Sequence, residues 1–313
     1  MGKCLVTKLI GIVNNDSLLR VGEIRFSISA VSNPTSESQK LSISYSTGSS
    51  LEIIGNGYFT DSTLSQNLGK SRNVNEGSNT VYVSNGNFSL IAKNKYNIES
   101  ITIGNAYSFN IDDVKWSNLY NITANYTNTE GDISSLASIT RFETIDLSYT
   151  KVAGDIASLS KLTNSKMLSF ICDRVRGNLS SLHGLTKLQL LRLKNVSGDV
   201  SSLVQNKDLS DIRLYKSNIT GDIATLSPKL HFMDFGDSIT SLSFGSRDTA
   251  SYIIALDGFP HFDNIDSMLI NQAKCTATSG SKLISASGKR TSASDAAVQT
   301  LQQKGYTVSI NPA

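Results

Sequence analysis

The three histidines of the chain are the residues from which metal binding or proton transfer would start. His183, His231 and His261 are far apart in the sequence, and none has a second histidine or a carboxylate at metal-ligand spacing. The Gly-Lys-Ser at Gly69 lacks the glycine that a phosphate-binding loop places five residues earlier, where Leu64 stands. We therefore expect surface or turn histidines, no bound metal and no cofactor.

Ser238 is the best candidate for a nucleophile. The segment MDFGDSIT, which begins at Met233, resembles the first block of GDSL-type hydrolases, and His261 would be the base. That family places an aspartate three residues before the histidine, whereas Asp257 lies four residues before it. Met233 and Phe235 also occupy regular apolar positions of the repeat described below. We therefore expect a protein that is not an enzyme, with no catalytic residues and with Ser238 and His261 out of hydrogen-bond reach.

Arg192, Lys194, Arg213 and Tyr215 are the candidate partner-binding residues. They fall at matching positions of two successive repeats, so they cluster if the repeats stack. Two guanidinium groups beside an aromatic ring suit a carboxylate, sulfate or phosphate group, or a sugar ring. The alternative is an ordinary solvated face, whose positive charge is balanced by two distant aspartates, Asp146 and Asp234.

The elements that position these side chains follow from a short string that recurs along the chain. It reads GDISSL at 131, GDIASL at 154, GNLSSL at 177, GDVSSL at 198 and GDIATL at 221, and a weaker copy, FNIDDV, starts at 109. Between copies the apolar residues come three apart and end in an L-x-L pattern, which predicts a coil that finishes in one extended segment. A coil of about 23 residues cannot bury its own apolar edge, so successive coils must stack.

The coils resemble leucine-rich repeats of the L-x-L-x-x-N-x-L-x-G-x-I type. IDLSYTKVAGDIASL from Ile145 and LRLKNVSGDVSSL from Leu191 carry the likeness, which extends from about Ile98 to Phe244. The resemblance implies a right-handed solenoid with a parallel strand at each L-x-L and a concave sheet face that carries the candidate residues. We assign it to residues 105–244, in coils of about 22–23 residues.

One position departs from the leucine-rich-repeat pattern. Where the family has a buried asparagine, this chain has Thr150, Asp173 and Ser217, and Asn195 is displaced in a shortened coil. Short polar side chains can satisfy part of the turn backbone, which must find partners when it is buried. We therefore expect a somewhat irregular solenoid. The aspartate of each Gly-Asp pair recurs at a turn, which predicts turn capping and not calcium binding.

The two flanks predict different structures, within a chain that is mainly β. Residues 1–104 contain short alternating β-branched segments separated by Gly, Asn and Ser, which favour an antiparallel β-sandwich-like anchoring domain. Residues 245–313 predict an irregular α/β C-terminal cap, with strands in YIIALDGF, SMLINQA, KLISASG and YTVSIN. Its one predicted helix has Ser292 as N-cap, Gly305 after its last turn, and Ala297, Val298 and Leu301 on one face.

Composition excludes several classes of protein. The chain has 313 residues, 39% hydrophobic and 18% charged, and its net charge of +3 predicts no nucleic-acid partner and no membrane surface. No run is long and apolar enough for membrane insertion, and the opening MGKCLVTKLIGIVNN predicts a first strand instead of a signal peptide. Cys4, Cys172 and Cys275 form no C-x-x-C pair, which predicts reduced, mostly buried thiols.

A wider resemblance covers most of the chain. The opening MGKCLVTKL, the segment GNGYFTDSTLSQN, the repeats and the closing LQQKGYTVSIN are similar to virion-associated proteins of crAss-like bacteriophages that infect Bacteroidales. The resemblance implies a virion structural protein, in a head fibre, a tail appendage or a capsid decoration, assembled in the host cytoplasm. Its partners would be other virion proteins in a multimeric context, together with a host surface glycan or protein. The alternative is a bacterial leucine-rich-repeat binding or adhesin-like protein, which would require export.

Overall fold

The structure is a computed structural model. It describes residues 98–105, 107–115, 117–236, 238–245, 255–257, 260–276 and 282–313. Of the first 97 residues it describes 24–30, 41–45, 49–55, 58–60, 68–74, 77–80, 82–84 and 88–92.

The described chain is mainly β. Its strands are β1 Ile24–Ala30, β2 Leu41–Tyr45, β3 Ser49–Gly55, β4 Tyr58–Thr60, β5 Ser71–Val74, β6 Gly77–Thr80, β7 Tyr82–Ser84, β8 Phe88–Ala92, β9 Ile98–Ile103, β10 Tyr107–Phe109, β11 Asn121–Thr123, β12 Thr144–Asp146, β13 Ala153–Asp155, β14 Met167–Phe170, β15 Arg174–Asn178, β16 Leu190–Lys194, β17 Val196–Asp199, β18 Asp211–Tyr215, β19 Asn218–Asp222, β20 Phe232–Asp234, β21 Ile239–Ser243, β22 Ala255–Asp257, β23 Leu283–Arg290 and β24 Thr307–Pro312. The α-helices are α1 Ile265–Gln272 and α2 Asp295–Gln303. Short 3-10 helices lie at Ile111–Val114, Ile133–Ser138, Ile156–Lys161, Leu179–Leu182, Val200–Leu203, Ile223–Thr225 and Ser292–Ser294.

One long sheet runs through the coils, with β9, β11, β12, β14, β16, β18, β20, β22, β23 and β24 side by side in parallel. Phe170 pairs with Leu193, and Leu193 pairs with Leu214. Leu147 precedes them in the stack, and its N–H donates to the Ser169 carbonyl at 2.9 Å. Leu147, Phe170, Leu193 and Leu214 are all fully buried, so their predicted stacking is confirmed.

The Gly-Asp turns hold each coil against the one before it. The Asp155 carboxylate caps a 3-10 helix by accepting the Ala157 N–H at 2.8 Å. Gly177 of the next coil passes directly over this carboxylate with φ of +139°, and a Cβ there would lie 2.5 Å from Asp155 Oδ1. The turn therefore requires glycine both for its left-handed backbone and for the close approach. The predicted capping role of these aspartates is confirmed.

Mixed polar side chains replace the family's asparagine between coils. Thr150 donates its hydroxyl to the Leu147 carbonyl at 2.6 Å, and the Cys172 thiol donates to the same carbonyl at 3.0 Å. Burial raises the pKa of Cys172, which keeps the thiol protonated as a donor. Asn195 donates to the Asp173 carbonyl at 3.0 Å. The expectation that the Asp173 side chain fills this position is wrong, because that side chain is exposed and Cys172 lies there instead.

The N-terminal strands pair antiparallel and connect directly to the coils. β8 lies between β1 and β3, and β1 also pairs with β10. β2 pairs antiparallel with β9, so it extends the long sheet beyond the first coil. The predicted first strand at MGKCLVTKL, with Cys4, lies outside the described residues. The sandwich-like arrangement and the domain boundaries stay predictions.

The parallel sheet continues past Phe244, where the sequence repeat is lost. The strand expected at SMLINQA is wrong, because this segment belongs to α1. Asn264 caps that helix by accepting the Ser267 N–H at 2.8 Å, and Met268 and Leu269 are fully buried. The cap and the adjacent apolar pair favour a helix that packs one face on the core.

The predicted buried face of α2 is confirmed, but its predicted N-cap residue is not. Ala297, Val298 and Leu301 are buried, and Gly305, with φ of +86°, follows the last turn. The expectation that Ser292 caps this helix is wrong. The side chain that accepts is Thr291, from the Ala293 N–H at 3.2 Å, and it caps a 3-10 turn that leads into α2. Neither α1 nor α2 has the length and hydropathy that a membrane-spanning helix needs, and the described residues include no other candidate.

Candidate functional site

The structure brings the four predicted partner-binding residues together. Arg192 pairs with Arg213, and Lys194 pairs with Tyr215, across the neighbouring strands β16 and β18. The alternate residues of these strands, such as Leu191 and Leu193, are fully buried on the opposite face. We call the face that carries the four side chains the polar sheet face. The same register aligns a column of residues on this face: Thr123, Asp146, Ser169, Arg192, Arg213 and Asp234.

A carboxylate missed in the sequence lies between the two arginines. Asp211 Oδ2 is 3.2 Å from Arg192 Nη2 and 3.1 Å from Arg213 Nη2, and Arg213 Nε donates to Oδ1 at 3.1 Å. The Asp211 side chain is only 13% exposed. Arg213 also lies over the Phe232 ring, 4.3 Å from its centroid. The signal was present in the sequence, because Asp211 precedes Arg213 by two residues on one strand and so shares its face.

The other two predicted residues are also paired with acidic groups. Lys194 Nζ lies 2.5 Å from Asp173 Oδ1, and the Tyr215 hydroxyl donates to Asp234 Oδ2 at 2.7 Å. Burial, followed by the contact with Asp234, raises the pKa of Tyr215 well above its usual range. The expectation that Asp234 is a distant counter-charge is therefore wrong. Three cations lie beside three carboxylates here, so the net charge of the cluster does not favour an anionic ligand.

A small pocket beside the four residues carries two further tyrosines. The rings of Tyr126 and Tyr149 stack with centroids 4.4 Å apart and planes 15° apart, and they remain 64% and 49% exposed. This pair was not predicted from the sequence, although its members lie 23 residues apart, the length of one repeat. The pocket has a volume of about 150 Å³ and is lined by Asn125, Tyr126, Asp146, Ser148, Tyr149, Ser169, Ile171, Arg192, Arg213 and Tyr215.

The polar groups of this pocket include both donors and acceptors. Asp146 accepts the Ser148 N–H at 3.1 Å and the Asn125 side-chain amide at 3.3 Å. The hydroxyls of Ser148 and Ser169 are hydrogen-bonded at 2.7 Å. Arg192 Nε is buried and has no hydrogen-bond partner among the described residues. The pocket can therefore both donate to and accept from a polar ligand.

Ser238 has a structural place in the coil stack. Its side chain is buried, its hydroxyl donates to the Leu214 carbonyl, and its oxygen accepts the Ser217 N–H at 3.0 Å. His261 is exposed, and its backbone N–H donates to Thr240. Met233 and Phe235 are fully buried, in line with their predicted positions in the repeat.

The histidines and the two described cysteines lie as the sequence predicts. His183 and His231 are exposed, like His261, and Cys172 and Cys275 are buried thiols. Over the described ranges no three His, Cys, Asp or Glu side chains come close enough to hold a metal ion.

Comparison with known proteins gives similarity to solved structures only. No family model matches the chain, and no curated protein matches it. Solved structures to which it is similar include leucine-rich-repeat proteins. The crystal structure of PEPR1-AtPEP1 has 20% identity and a TM-score of 0.49, over 69% of this chain and 35% of that one. The HAESA leucine-rich-repeat ectodomain from Arabidopsis, with a peptide hormone ligand, has 20% identity and a TM-score of 0.39, over 61% and 34%.

A bacterial protein is also similar. An internalin from Listeria monocytogenes has 15% identity and a TM-score of 0.35, over 61% of this chain and 66% of that one. The chain thus spans about a third of the length of the two plant receptor chains and about two thirds of the internalin. The resemblance of the sequence to phage proteins finds no support among these three structures.

Proposed function

We propose that this chain is a non-enzymatic binding protein whose stacked coils form a right-handed leucine-rich-repeat solenoid. The polar sheet face would be its concave face and would contact a protein or glycan partner. The observation that carries the proposal is the collection of Arg192, Arg213, Tyr215 and the stacked tyrosine pair on one face of a sheet whose other face is buried.

The polar sheet face suits binding because its side chains are held in place before a partner arrives. Asp211 fixes both guanidinium groups, and Asp234 fixes the Tyr215 hydroxyl. Ordering a free arginine costs about 0.5–1.5 kcal/mol on association, and a side chain already held loses less. Arginine and tyrosine are also the residue types that most often dominate binding energy.

Two features support the absence of catalysis. The hydroxyl of Ser238, the one predicted nucleophile, is used in hydrogen bonds between coils. The exposed His261 contributes its backbone to a neighbouring side chain, Thr240. A serine-to-alanine change at Ser238 is expected to leave binding intact, and ester hydrolysis that disappears in that variant would contradict this part of the proposal.

We propose a bacteriophage virion as the setting, on the sequence resemblance alone. Residues 1–104 would attach the chain to other virion structural proteins in a multimeric assembly, and residues 245–313 would cap the solenoid. Mass spectrometry of purified crAss-like particles that encode this chain tests the setting directly, and absence of the chain from those particles would contradict it. A bacterial adhesin-like protein, the alternative, would instead be found on the surface of bacterial cells.

Binding of the labelled full chain to Bacteroidales cells tests the polar sheet face. Arg192→Ala with Arg213→Ala would leave Asp211 without its partners, so the informative variant adds Asp211→Asn. We expect this triple variant to bind about tenfold more weakly or worse, since it removes two anchoring groups. Lys161→Ala, at the end of a 3-10 helix, removes the same net charge and serves as the control. Equal binding by wild type, triple variant and control would refute the proposed face.

A further inference from the structure

We propose that the pocket beside Tyr126 and Tyr149 binds one neutral pyranose unit of a saccharide. This inference rests on the proposed function of the polar sheet face and names the class of ligand that one part of it takes.

The stacked tyrosines provide a fixed aromatic surface. The N–H of Tyr126 donates to the Ser148 carbonyl and that of Tyr149 to the Ile171 carbonyl, both at 3.0 Å. Both residues have left-handed backbones, with φ of 58° and 59°, held by the neighbouring coil. One ring covers the other at 4.4 Å, yet about half or more of each side chain stays exposed. An amphipathic ring in this state offers an apolar face to the C–H side of a sugar and a polar tip to its hydroxyls.

The polar lining matches a group that both donates and accepts hydrogen bonds. Asp146 accepts two hydrogen bonds within the protein, and an ionised carboxylate has about four acceptor positions. Arg192 Nε is a buried donor with no partner among the described residues. A buried donor that makes no hydrogen bond costs free energy of folding. Sugar hydroxyls act as donor and acceptor at once, so they complement a pocket lined by a carboxylate and guanidinium groups.

The charge and the size of the pocket limit which ligands fit it. In and beside the pocket, the carboxylates of Asp146 and Asp211 balance the guanidinium groups of Arg192 and Arg213. A carboxylated or sulfated sugar therefore gains no net attraction over a neutral one. The volume of about 150 Å³ is below the range of about 300–1,000 Å³ that is usual for larger ligands. It is the size of a site for a single ring of a longer chain.

Saturation-transfer-difference NMR on the full chain tests this inference. The probes are the methyl glycosides of glucose, galactose, mannose, fucose and N-acetylglucosamine, with methyl glucuronide as the anionic comparison. We expect at least one neutral glycoside to receive saturation at its ring protons and to outcompete the glucuronide. Saturation of none of the five, or stronger binding of the glucuronide, would overturn the proposal.

The variants use a substitution that the fold already accepts. Asn195 occupies the same coil position as Tyr149 and has the same left-handed backbone, with φ of 58°, so Tyr149→Asn removes the ring without new strain. We expect Tyr149→Asn to weaken glycoside binding about tenfold and Tyr149→Phe to retain most of it. Lys216→Asn, at the equivalent left-handed position of a later coil, is the matched control and should bind as wild type. Unchanged binding by Tyr149→Asn would place any sugar elsewhere and overturn the proposal.

Cell binding separates this inference from the proposed function. If the triple variant at Arg192, Arg213 and Asp211 loses cell binding while periodate oxidation of cell glycans has no effect, the face binds a protein. In that case the saccharide inference fails and the proposed function stands. If glycosides bind the pocket but every variant of the face binds cells as tightly as wild type, the proposed function fails and the pocket remains a sugar site.

Discussion

The central coils and the last two coils build the same sheet by different means. We call the segment that connects one strand of the long sheet to the next the return segment. Between β12 and β20 each return segment contains a short strand and a 3-10 helix capped by an aspartate or asparagine, with a glycine passing over the cap. Between β22 and β24 the return segments are the α-helices α1 and α2. The strands pair in parallel in both regions. The difference teaches that the repeated string belongs to the return segment, while the sheet needs only an extended apolar strand in each coil.

Helix type also affects the spacing of consecutive strands. An α-helix rises about 1.5 Å per residue and a 3-10 helix about 2.0 Å, so an α-helical return needs more residues for the same distance. The paired residues Leu256 and Ile284, on either side of α1, are 28 apart in sequence, whereas Leu190 and Asp211 are 21 apart. Across the longer of the two helices, α2, Leu283 and Thr307 are 24 apart, close to the 23 that separate Ile145 and Leu168. The repeated string has its last copy at 221, although the sheet continues past Phe244.

The largest expected effect comes from the core of the central coils. Leu193→Ala should lower the free energy of unfolding by about 2–5 kcal/mol, because coils on both sides prevent the cavity from collapsing. Leu301→Ala, in α2, should mainly open residues 282–313, because the last coil has a described neighbour on one side only. Urea unfolding and hydrogen exchange measure the two effects. A loss below about 1 kcal/mol for Leu193→Ala would contradict the tight stacking of the coils.

The next effect distinguishes the two kinds of turn. Gly305→Ala, which ends α2, should cost about 1–2 kcal/mol through its left-handed backbone alone, since a Cβ there meets nothing nearer than 3.6 Å. Gly177→Ala should cost more, because its Cβ would also lie within 2.6 Å of Asp155 and Ile156 side-chain atoms. Thermal unfolding of the two variants gives the comparison. Equal losses would mean that close packing over the cap contributes nothing.

A smaller effect is expected from a single cap. Asp155→Ala removes the acceptor for the Ala157 N–H and should cost about 1 kcal/mol. Asp155→Asn keeps an acceptor oxygen and should cost less, as Asn178 and Asn110 already cap coils in this chain. Denaturant titration of both variants tests this expectation, and equal costs would show that charge, not the acceptor, stabilises the turn.

The smallest effect is a pH dependence confined to the last coils. Burial acts to raise the pKa of Asp266, but hydrogen bonds from Ser294 and Thr291 outweigh it and lower the pKa. The resulting stabilisation is complete above the unfolded pKa, about 3.9, and is lost as the pH falls through the lower folded value. Hydrogen-exchange protection in residues 282–313, corrected for the intrinsic exchange rate at each pH, should therefore fall below about pH 4. Asp266→Asn should remove most of that pH dependence, and a variant with the wild-type profile would assign it to other groups.

Sequence predicted the parts of this fold that depend on periodicity. Stacked Leu147, Phe170, Leu193 and Leu214, the capping aspartates and the column of Arg192 and Arg213 all follow from spacing. The helix at Ile265–Gln272 did not follow, because Met268, Leu269 and Ile270 form a short continuous apolar run, which periodicity alone cannot assign to a strand or a helix. The exposure of Asp173 was missed because Cys172, a weak donor, takes the buried position.

The site shows the same limit. The register of the L-x-L pattern was enough to place the four candidate residues together. A search for basic residues alone could not find the carboxylates that pair with them. Asp211, together with Asp173 and Asp234, changes the cluster from an anion-binding site to one with balanced charge. The Tyr126 and Tyr149 stack depends on a left-handed backbone at tyrosine, which propensity does not predict.

The central claim is that the polar sheet face carries the binding function. Its most direct test is the affinity of the labelled full chain for Bacteroidales cells, measured for wild type, the Arg192→Ala, Arg213→Ala, Asp211→Asn triple variant and the Lys161→Ala control. We predict an affinity loss of about tenfold or more in the triple variant and an unchanged affinity in the control. A folded triple variant that binds cells as tightly as wild type would contradict the claim.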